Sequence, residues 1–147
     1  MIEVTEGSVM SDPTRIGDVL ERLAELGVGL SLDDFGTGYS SLVHLKTLPV
    51  GEVKIDRSFV TGAARDPKDA AIVRATIDLA HELGMRTVAE GVEDDESWAR
   101  LAALGCELVQ GYVLSRPVPA AEVPGLLARS GEPAGDHFGH GALRTAR

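Results

Sequence analysis

Cysteine is nearly absent from this 147-residue chain, and Cys106, the only one, has no partner for a disulfide within the molecule. Long apolar runs are also missing, since no stretch reaches the roughly 18 residues that a membrane-spanning helix needs. The amino terminus lacks the basic residues followed by an apolar core that mark a secretory signal. These three absences predict a cytoplasmic protein with no membrane segment.

Positive charge is in short supply, because 14 Lys and Arg residues against 23 Asp and Glu give a formal net charge of -9. A chain this acidic repels other anions, so DNA is not an expected partner. Hydrophobic residues at 44% and charged residues at 25% are ordinary for one soluble globular domain. The composition therefore favours a soluble domain. An anionic ligand would bind to it only if bound cations made the local electrostatic potential positive.

Five short apolar runs end in polar residues, and helix-like segments separate them. The runs span residues 2–6, 28–32, 53–56, 87–91 and 108–111. An aspartate followed by proline opens each of two predicted helices, over 14–26 and 68–83, and a third helix is predicted over 94–104. Strands that alternate with helices in units of roughly 30 residues predict an α/β fold with parallel strands. The expected architecture is a partial TIM-like (β/α) barrel of about five strands with crossover helices.

Two adjacent carboxylates, Asp33 and Asp34, follow the second apolar run and open into a glycine-rich turn. Since an unpaired carboxylate is costly to desolvate, such a pair at the end of a buried strand indicates a cation that neutralises it. From this segment alone, a metal site and a solvated turn are equally supported. If the site is a metal site, its hard oxygen ligands suit Mg²⁺ or Mn²⁺.

The other apolar runs also end in polar side chains that can bind metals or transfer protons. In a β/α barrel the carboxyl ends of all strands meet at one face, where active sites are built. Residues far apart in sequence are therefore expected to converge there, which favours one polar site over coincidence. The candidate residues are Glu3, Asp33, Asp34, Lys54, Glu90 and Gln110.

Five motifs occur in one order along the chain and make it similar to a known family. They are Glu3-Val4-Thr5-Glu6, Asp33-Asp34-Phe35-Gly36-Thr37-Gly38-Tyr39-Ser40-Ser41, Lys54-Ile55-Asp56, Ala89-Glu90-Gly91-Val92-Glu93 and Gln110-Gly111-Tyr112. Residues 2–120 resemble the EAL-domain family, the cyclic di-GMP phosphodiesterases. The resemblance implies a modified TIM barrel in which two divalent ions, Mg²⁺ or Mn²⁺, support hydrolysis of cyclic di-GMP to linear pGpG.

The resemblance also implies roles for individual residues. Glu3, Asp33 and Asp34 match metal ligands of the family. Lys54 matches a lysine close to the attacking water, and Glu90 matches a glutamate that acts as general base or second-metal ligand. These five residues are therefore the expected centre of the site.

Further positions match the family around that centre. Gln110 matches a polar residue of the same catalytic cluster. A glutamate in the family steadies a mobile loop that lies beside the metals and contributes to dimerisation. The matching loop-stabilising residues here are Glu6, Gly36, Ser40 and Ser41. Two residues keep open roles: Asp56 is either a site residue or a salt-bridge or loop anchor, and Glu93 shares a motif with Glu90 without a settled role.

The chain departs from the family in what it lacks. The Glu-Ala-Leu motif, whose glutamate is a metal ligand, does not occur, and the chain has no asparagine to supply a second expected ligand. About five strands in place of eight predict that residues 1–120 form only the carboxyl-terminal portion of an EAL domain. A short helix is expected over 121–130 and a disordered tail over 131–147.

Two functions are consistent with these observations. The first is a metal-dependent cyclic di-GMP phosphodiesterase, impaired in this truncated chain. The second is a noncatalytic EAL remnant that binds a partner protein or cyclic di-GMP. Because the open sheet edges of a partial barrel favour pairing, a homodimer or a complex with the missing amino-terminal half of the barrel is also expected.

Overall fold

The computed structural model describes residues 1–37 and 45–130, and its centre is one five-stranded parallel sheet in the order β1-β2-β3-β4-β5. The strands are β1 (Ile2–Thr5), β2 (Leu30–Phe35), β3 (Glu52–Ile55), β4 (Arg86–Glu90) and β5 (Leu108–Gln110). Within the described ranges, β1 and β5 each pair with a single neighbour, so the sheet does not close. The predicted α/β fold with five parallel strands and an incomplete barrel is confirmed.

Helices lie between and after the strands, and those between the strands cover one face of the sheet. They are α1 (Glu6–Ser11), α2 (Pro13–Glu25), α3 (Arg57–Gly62), α4 (Pro67–Glu82), α5 (Asp95–Ala103) and, after a 3-10 turn at Ala120–Glu122, α6 (Val123–Ser130). Asp12, Asp66 and Asp94 cap α2, α4 and α5, because each side chain accepts a hydrogen bond from a backbone N–H of the first helical turn. No described helix is both long and apolar enough to cross a membrane.

Two hydrophobic clusters lie between the sheet and its helices. Leu30, Leu32 and Val53 belong to the first cluster, which α1 and α2 cover, and Ile55 and Ala89 belong to the second, which includes residues of α3, α4 and α5. Successive strand residues point to opposite faces of a sheet. The residues that alternate with these five therefore face the other side, and that side carries the charged groups.

The structure corrects the predicted element boundaries in two ways. The short helices α1 and α3 were not predicted, because six residues are too few to show a helical period and Glu6 was taken as a strand end. The second strand does not end before the acidic pair but runs through it to Phe35, with an irregular register against β3 between Leu32 and Phe35. The predicted tail at 131–147 lies outside the described residues.

Glu107 links α4 to the amino-terminal end of β4. Its carboxylate accepts hydrogen bonds from the Thr87 backbone N–H at 2.9 Å and the Thr87 hydroxyl at 2.7 Å, and it lies 2.8 Å from His81 Nε2. Partial burial raises the pKa of Glu107, but the hydrogen bonds from Thr87 and the nearby His81 outweigh that effect, so its pKa lies below the usual 4.5. The ionised carboxylate thus satisfies two donors of a fully buried residue.

The Glu107→Gln variant should lose a pH-dependent part of the stability. A lowered pKa in the folded state contributes stability above the usual value of 4.5, and that contribution disappears as the pH falls through the folded-state pKa. We expect urea denaturation to show wild type more stable than the variant at neutral pH, with the difference shrinking in acid. The exposed Glu82→Gln variant is the control, and an equal difference at every pH would contradict the assignment.

Candidate functional site

Lys54 on β3 is the centre of the candidate site, and its side chain faces away from the hydrophobic clusters. Its Nζ atom lies 2.6 Å from Glu90 Oε1, 3.1 Å from Glu3 Oε2 and 3.3 Å from Asp33 Oδ1. The three carboxylates come from β4, β1 and β2. Four neighbouring strands therefore bring one charged residue each to a single point.

The burial of Lys54 depends on these carboxylates. The residue is only 5% exposed, and an ammonium group that deep requires charge partners. Burial lowers the pKa of Lys54, but the hydrogen bonds to Glu90 and Glu3 and the charges of Glu90 and Asp33 outweigh burial, so its pKa lies above the usual 10.5. Lys54 is thus a fixed cation at neutral pH.

Asp34 joins the site through an unusual backbone conformation. Neighbouring residues of a regular strand point to opposite faces, yet Asp33, Asp34 and Glu90 each offer a carboxylate oxygen within 4.8 Å of the other two. Asp34 has φ +57°, the only positive φ of a non-glycine residue in the described ranges. Its N–H donates to Asp33 Oδ1 at 3.0 Å. This left-handed turn, which costs roughly 1–2 kcal/mol, accounts for both aspartates lying on one side of the sheet.

Glu6 ties the turn after β2 to the start of α1. It is only 1% exposed, and its Oε2 accepts the Gly36 N–H at 2.9 Å, while its Oε1 has no hydrogen-bond partner within the described part of the chain. Gly36 has φ +94°, and a Cβ there would lie 3.2 Å from the Phe59 ring, so the turn requires glycine. Ser40 and Ser41, the other predicted loop-stabilising residues, lie outside the described residues.

The remaining candidates lie around the Lys54 cluster. Gln110 pairs with Glu90 across the β4–β5 ladder, but its side chain is exposed and is not part of the contacts of Lys54. Asp56 caps α3 by accepting hydrogen bonds from the Ser58 N–H at 2.9 Å and from the Ser58 hydroxyl. The sequence left Asp56 open as either a site residue or a salt-bridge or loop anchor, and this geometry matches the loop anchor.

Two residues near the site were not singled out from the sequence. The Thr37 hydroxyl donates to the Asp34 carbonyl at 2.8 Å and closes the turn that holds Asp34. Arg57 forms an ion pair of 2.6 Å with Glu93. Thr37 could have been identified from the sequence, because it lies within the motif that begins at Asp33. The contact between Arg57 and Glu93 joins residues 36 positions apart and leaves no local pattern.

The donor set determines which ions the site can bind. Asp33, Asp34 and Glu90 offer hard carboxylate oxygens and are each partly buried. Such a set fits Mg²⁺ or Mn²⁺ better than softer metals, which prefer thiolate or imidazole ligands. With Glu3, the cluster has four carboxylates against the single ammonium of Lys54, so additional positive charge is electrostatically favourable.

Comparison with known proteins identifies one family. The EAL domain profile matches residues 1–117. The chain is 49% identical over 123 residues to the bifunctional diguanylate cyclase/cyclic di-GMP phosphodiesterase MucR of Pseudomonas aeruginosa, covering 84% of this chain and 18% of MucR. This chain thus spans less than a fifth of that relative.

Solved structures give the same relationship. The Pseudomonas aeruginosa MucR phosphodiesterase in complex with cyclic di-GMP matches with a TM-score of 0.80 at 50% identity, covering 82% of this chain and 49% of that chain. BlrP1 of Klebsiella pneumoniae, in a manganese and cyclic di-GMP complex, matches with a TM-score of 0.73 at 38% identity, covering 79% of this chain and 30% of that chain. Both of these similar structures hold cyclic di-GMP, and the BlrP1 structure also holds manganese.

Replacing Lys54 with Met should destabilise the fold, because the clustered carboxylates lose their shared counter-charge. We expect the free energy of unfolding to fall by about 2–3 kcal/mol, less than for a fully buried pair since the carboxylates keep some contact with solvent. Urea denaturation measures the change. Lys68→Met, at an exposed position on α4, is the matched control and should stay within about 0.5 kcal/mol of wild type. Equal losses in both variants would show that the cluster has no special energetic role.

Proposed function

Because the chain belongs to the EAL-domain family, we propose that its Lys54 cluster is a metal-dependent site for the hydrolysis of cyclic di-GMP to linear pGpG. The observation that carries this proposal is the convergence of Glu3, Asp33 and Glu90 on one buried ammonium. A purely structural role would require fewer charges, since one carboxylate is enough to compensate one lysine. The surplus of carboxylates supports a site for cations.

The residues that would hold the ions are the oxygen donors of this cluster. Asp33, Asp34 and Glu90 are the proposed ligands, and Glu3 is the proposed fourth, at the more exposed side of the site. Two bound Mg²⁺ or Mn²⁺ ions would activate a water molecule and stabilise the leaving oxygen of the phosphodiester. The same positive charge would offset the net charge of -9, which otherwise repels an anionic dinucleotide.

The side chains of this protein have distinct parts in the proposed reaction. Lys54 holds Asp33 and Glu90 in place and donates hydrogen bonds from a permanently charged ammonium. As the alternative to its role as an ion ligand, Glu90 would take the proton from the attacking water as general base. Glu6 keeps the turn at Gly36 beside the acidic pair. Gln110, at the end of the neighbouring strand, is the proposed polar contact for the substrate.

The ligand set also limits the expected rate. The sequence contains neither a Glu-Ala-Leu motif nor an asparagine, so two ligands that the family resemblance implies are absent from this chain. We therefore expect slow turnover by the chain alone. The exposed edges of β1 and β5 favour pairing with a second chain, either another copy or a segment that completes the barrel. The same absence supports the second candidate, a noncatalytic domain that binds cyclic di-GMP or a partner protein.

Incubating the purified chain with cyclic di-GMP and Mn²⁺ tests the proposal directly. We expect linear pGpG, detected by chromatography, and no product after the metal is removed with EDTA. Glu90→Gln should lower the rate roughly 100-fold or more because the proposed base is lost. Glu82→Gln removes an exposed carboxylate of α4 and should leave the rate unchanged.

Binding measurements separate the two candidates if no product forms. Calorimetric binding of cyclic di-GMP without hydrolysis would contradict the phosphodiesterase and support the noncatalytic domain. A folded chain that neither cleaves nor binds the dinucleotide would overturn both.

A further inference from the structure

Arg57 is the first residue of α3, and it lies three positions after Lys54. Its side chain crosses from the end of β3 to the segment after β4, where its Nη2 atom donates to Glu93 Oε1 at 2.6 Å. Glu93 lies three positions after Glu90. One ion pair therefore links the segments that leave the two strands carrying Lys54 and Glu90.

Gly91 makes this crossing possible. A methyl group at Gly91 would overlap the Cγ atom of Arg57 and would lie 2.7 Å from its Cδ and 2.8 Å from its Cβ. The residue also has φ +67°, a conformation that side chains other than glycine rarely adopt. The alkyl part of Arg57 thus packs directly on the backbone that follows Glu90, and the guanidinium reaches Glu93 beyond it.

The backbone beneath Arg57 is held from the other side as well. The Val92 N–H donates to the Gln110 carbonyl at 3.2 Å, and the Val92 carbonyl accepts from the Val113 N–H at 3.0 Å. Val92 itself is fully buried. The segment after Glu90 therefore lies between β5 on one side and the Arg57 side chain on the other. Of these two neighbours, Arg57 is the one that connects the segment to the end of β3.

We infer that Arg57 is a positioning residue that sets the orientation of Glu90 toward Lys54 and toward bound cations. The part of this inference that concerns bound cations rests on the proposed function. The contacts of Arg57 with Gly91 and Glu93 do not depend on it. Glu90 makes the shortest contact of the cluster, 2.6 Å to Lys54 Nζ, so a small displacement of the backbone at Gly91 alters the most tightly fixed carboxylate.

The exposure of the pair indicates that its effect is on the site more than on the stability of the fold. The side chains of Arg57 and Glu93 are 59% and 48% exposed. Solvent-exposed ion pairs contribute little to stability. Neighbours that only orient a metal ligand, in contrast, change metal affinity noticeably when removed. Loss of Arg57 should therefore alter local order and cation binding while the melting temperature stays nearly constant.

Amide hydrogen exchange and Mn²⁺ titration of the full chain test this inference. We expect Arg57→Ala to speed exchange of the Val92 amide and to weaken Mn²⁺ binding, each by roughly three- to tenfold. Arg57→Lys keeps an alkyl chain over Gly91 and a positive charge, so it should restore part of both effects. Arg65→Ala is the matched control, since Arg65 is an exposed arginine that follows the same helix, and no hydrogen bond or ion pair joins it to the segment after β4 in the described structure.

Each result decides between the alternatives. Unchanged exchange at Val92 in Arg57→Ala would overturn the positioning role, as would equal effects in Arg65→Ala. Faster exchange with unchanged Mn²⁺ affinity would show that Arg57 orders the segment without orienting Glu90, and would also overturn it. If wild type binds no Mn²⁺, the proposed function fails and the role toward cations fails with it, while the exchange data still decide whether Arg57 fixes the segment.

Discussion

The burial of one ammonium among carboxylates from neighbouring strands is the interaction on which the site depends. Lys54 is nearly inaccessible to solvent, and an isolated charge at that depth would be strongly unfavourable. Glu3, Asp33 and Glu90 make the burial possible, and in return Lys54 reduces the repulsion among them. Because the partners come from β1, β2 and β4, the cluster exists only when these strands are assembled in the observed order.

Strand alternation connects this cluster to the hydrophobic core. Leu32, Val53 and Ala89 pack against the helices, and their sequence neighbours Asp33, Lys54 and Glu90 consequently face the other side. A register shift of one residue would exchange the two sets and place charges in the core. The packing that stabilises the sheet therefore also determines which side chains form the site.

The sequence predicted the features that repeat or that have local signals. Capping aspartates located the starts of the main helices, and alternating strands and helices predicted the parallel sheet and the convergence of its polar ends. The left-handed Asp34, the two short helices and the contact of Arg57 with Glu93 were not predicted. The conformation of Asp34 comes from a local irregularity of β2, and the two helices are too short to show a helical period. The contact of Arg57 with Glu93 joins residues distant in sequence, so none of the three leaves a periodic pattern.

A crystal of the chain soaked in Mn²⁺, with anomalous diffraction recorded to locate the metal, would show whether the carboxylates around Lys54 bind cations. If these carboxylates form the metal site, anomalous peaks should lie within coordination distance of Asp33, Asp34 and Glu90, about 2.0–2.3 Å from their oxygens. Peaks only at unrelated surface carboxylates, or none at a metal concentration that saturates BlrP1, would contradict this assignment.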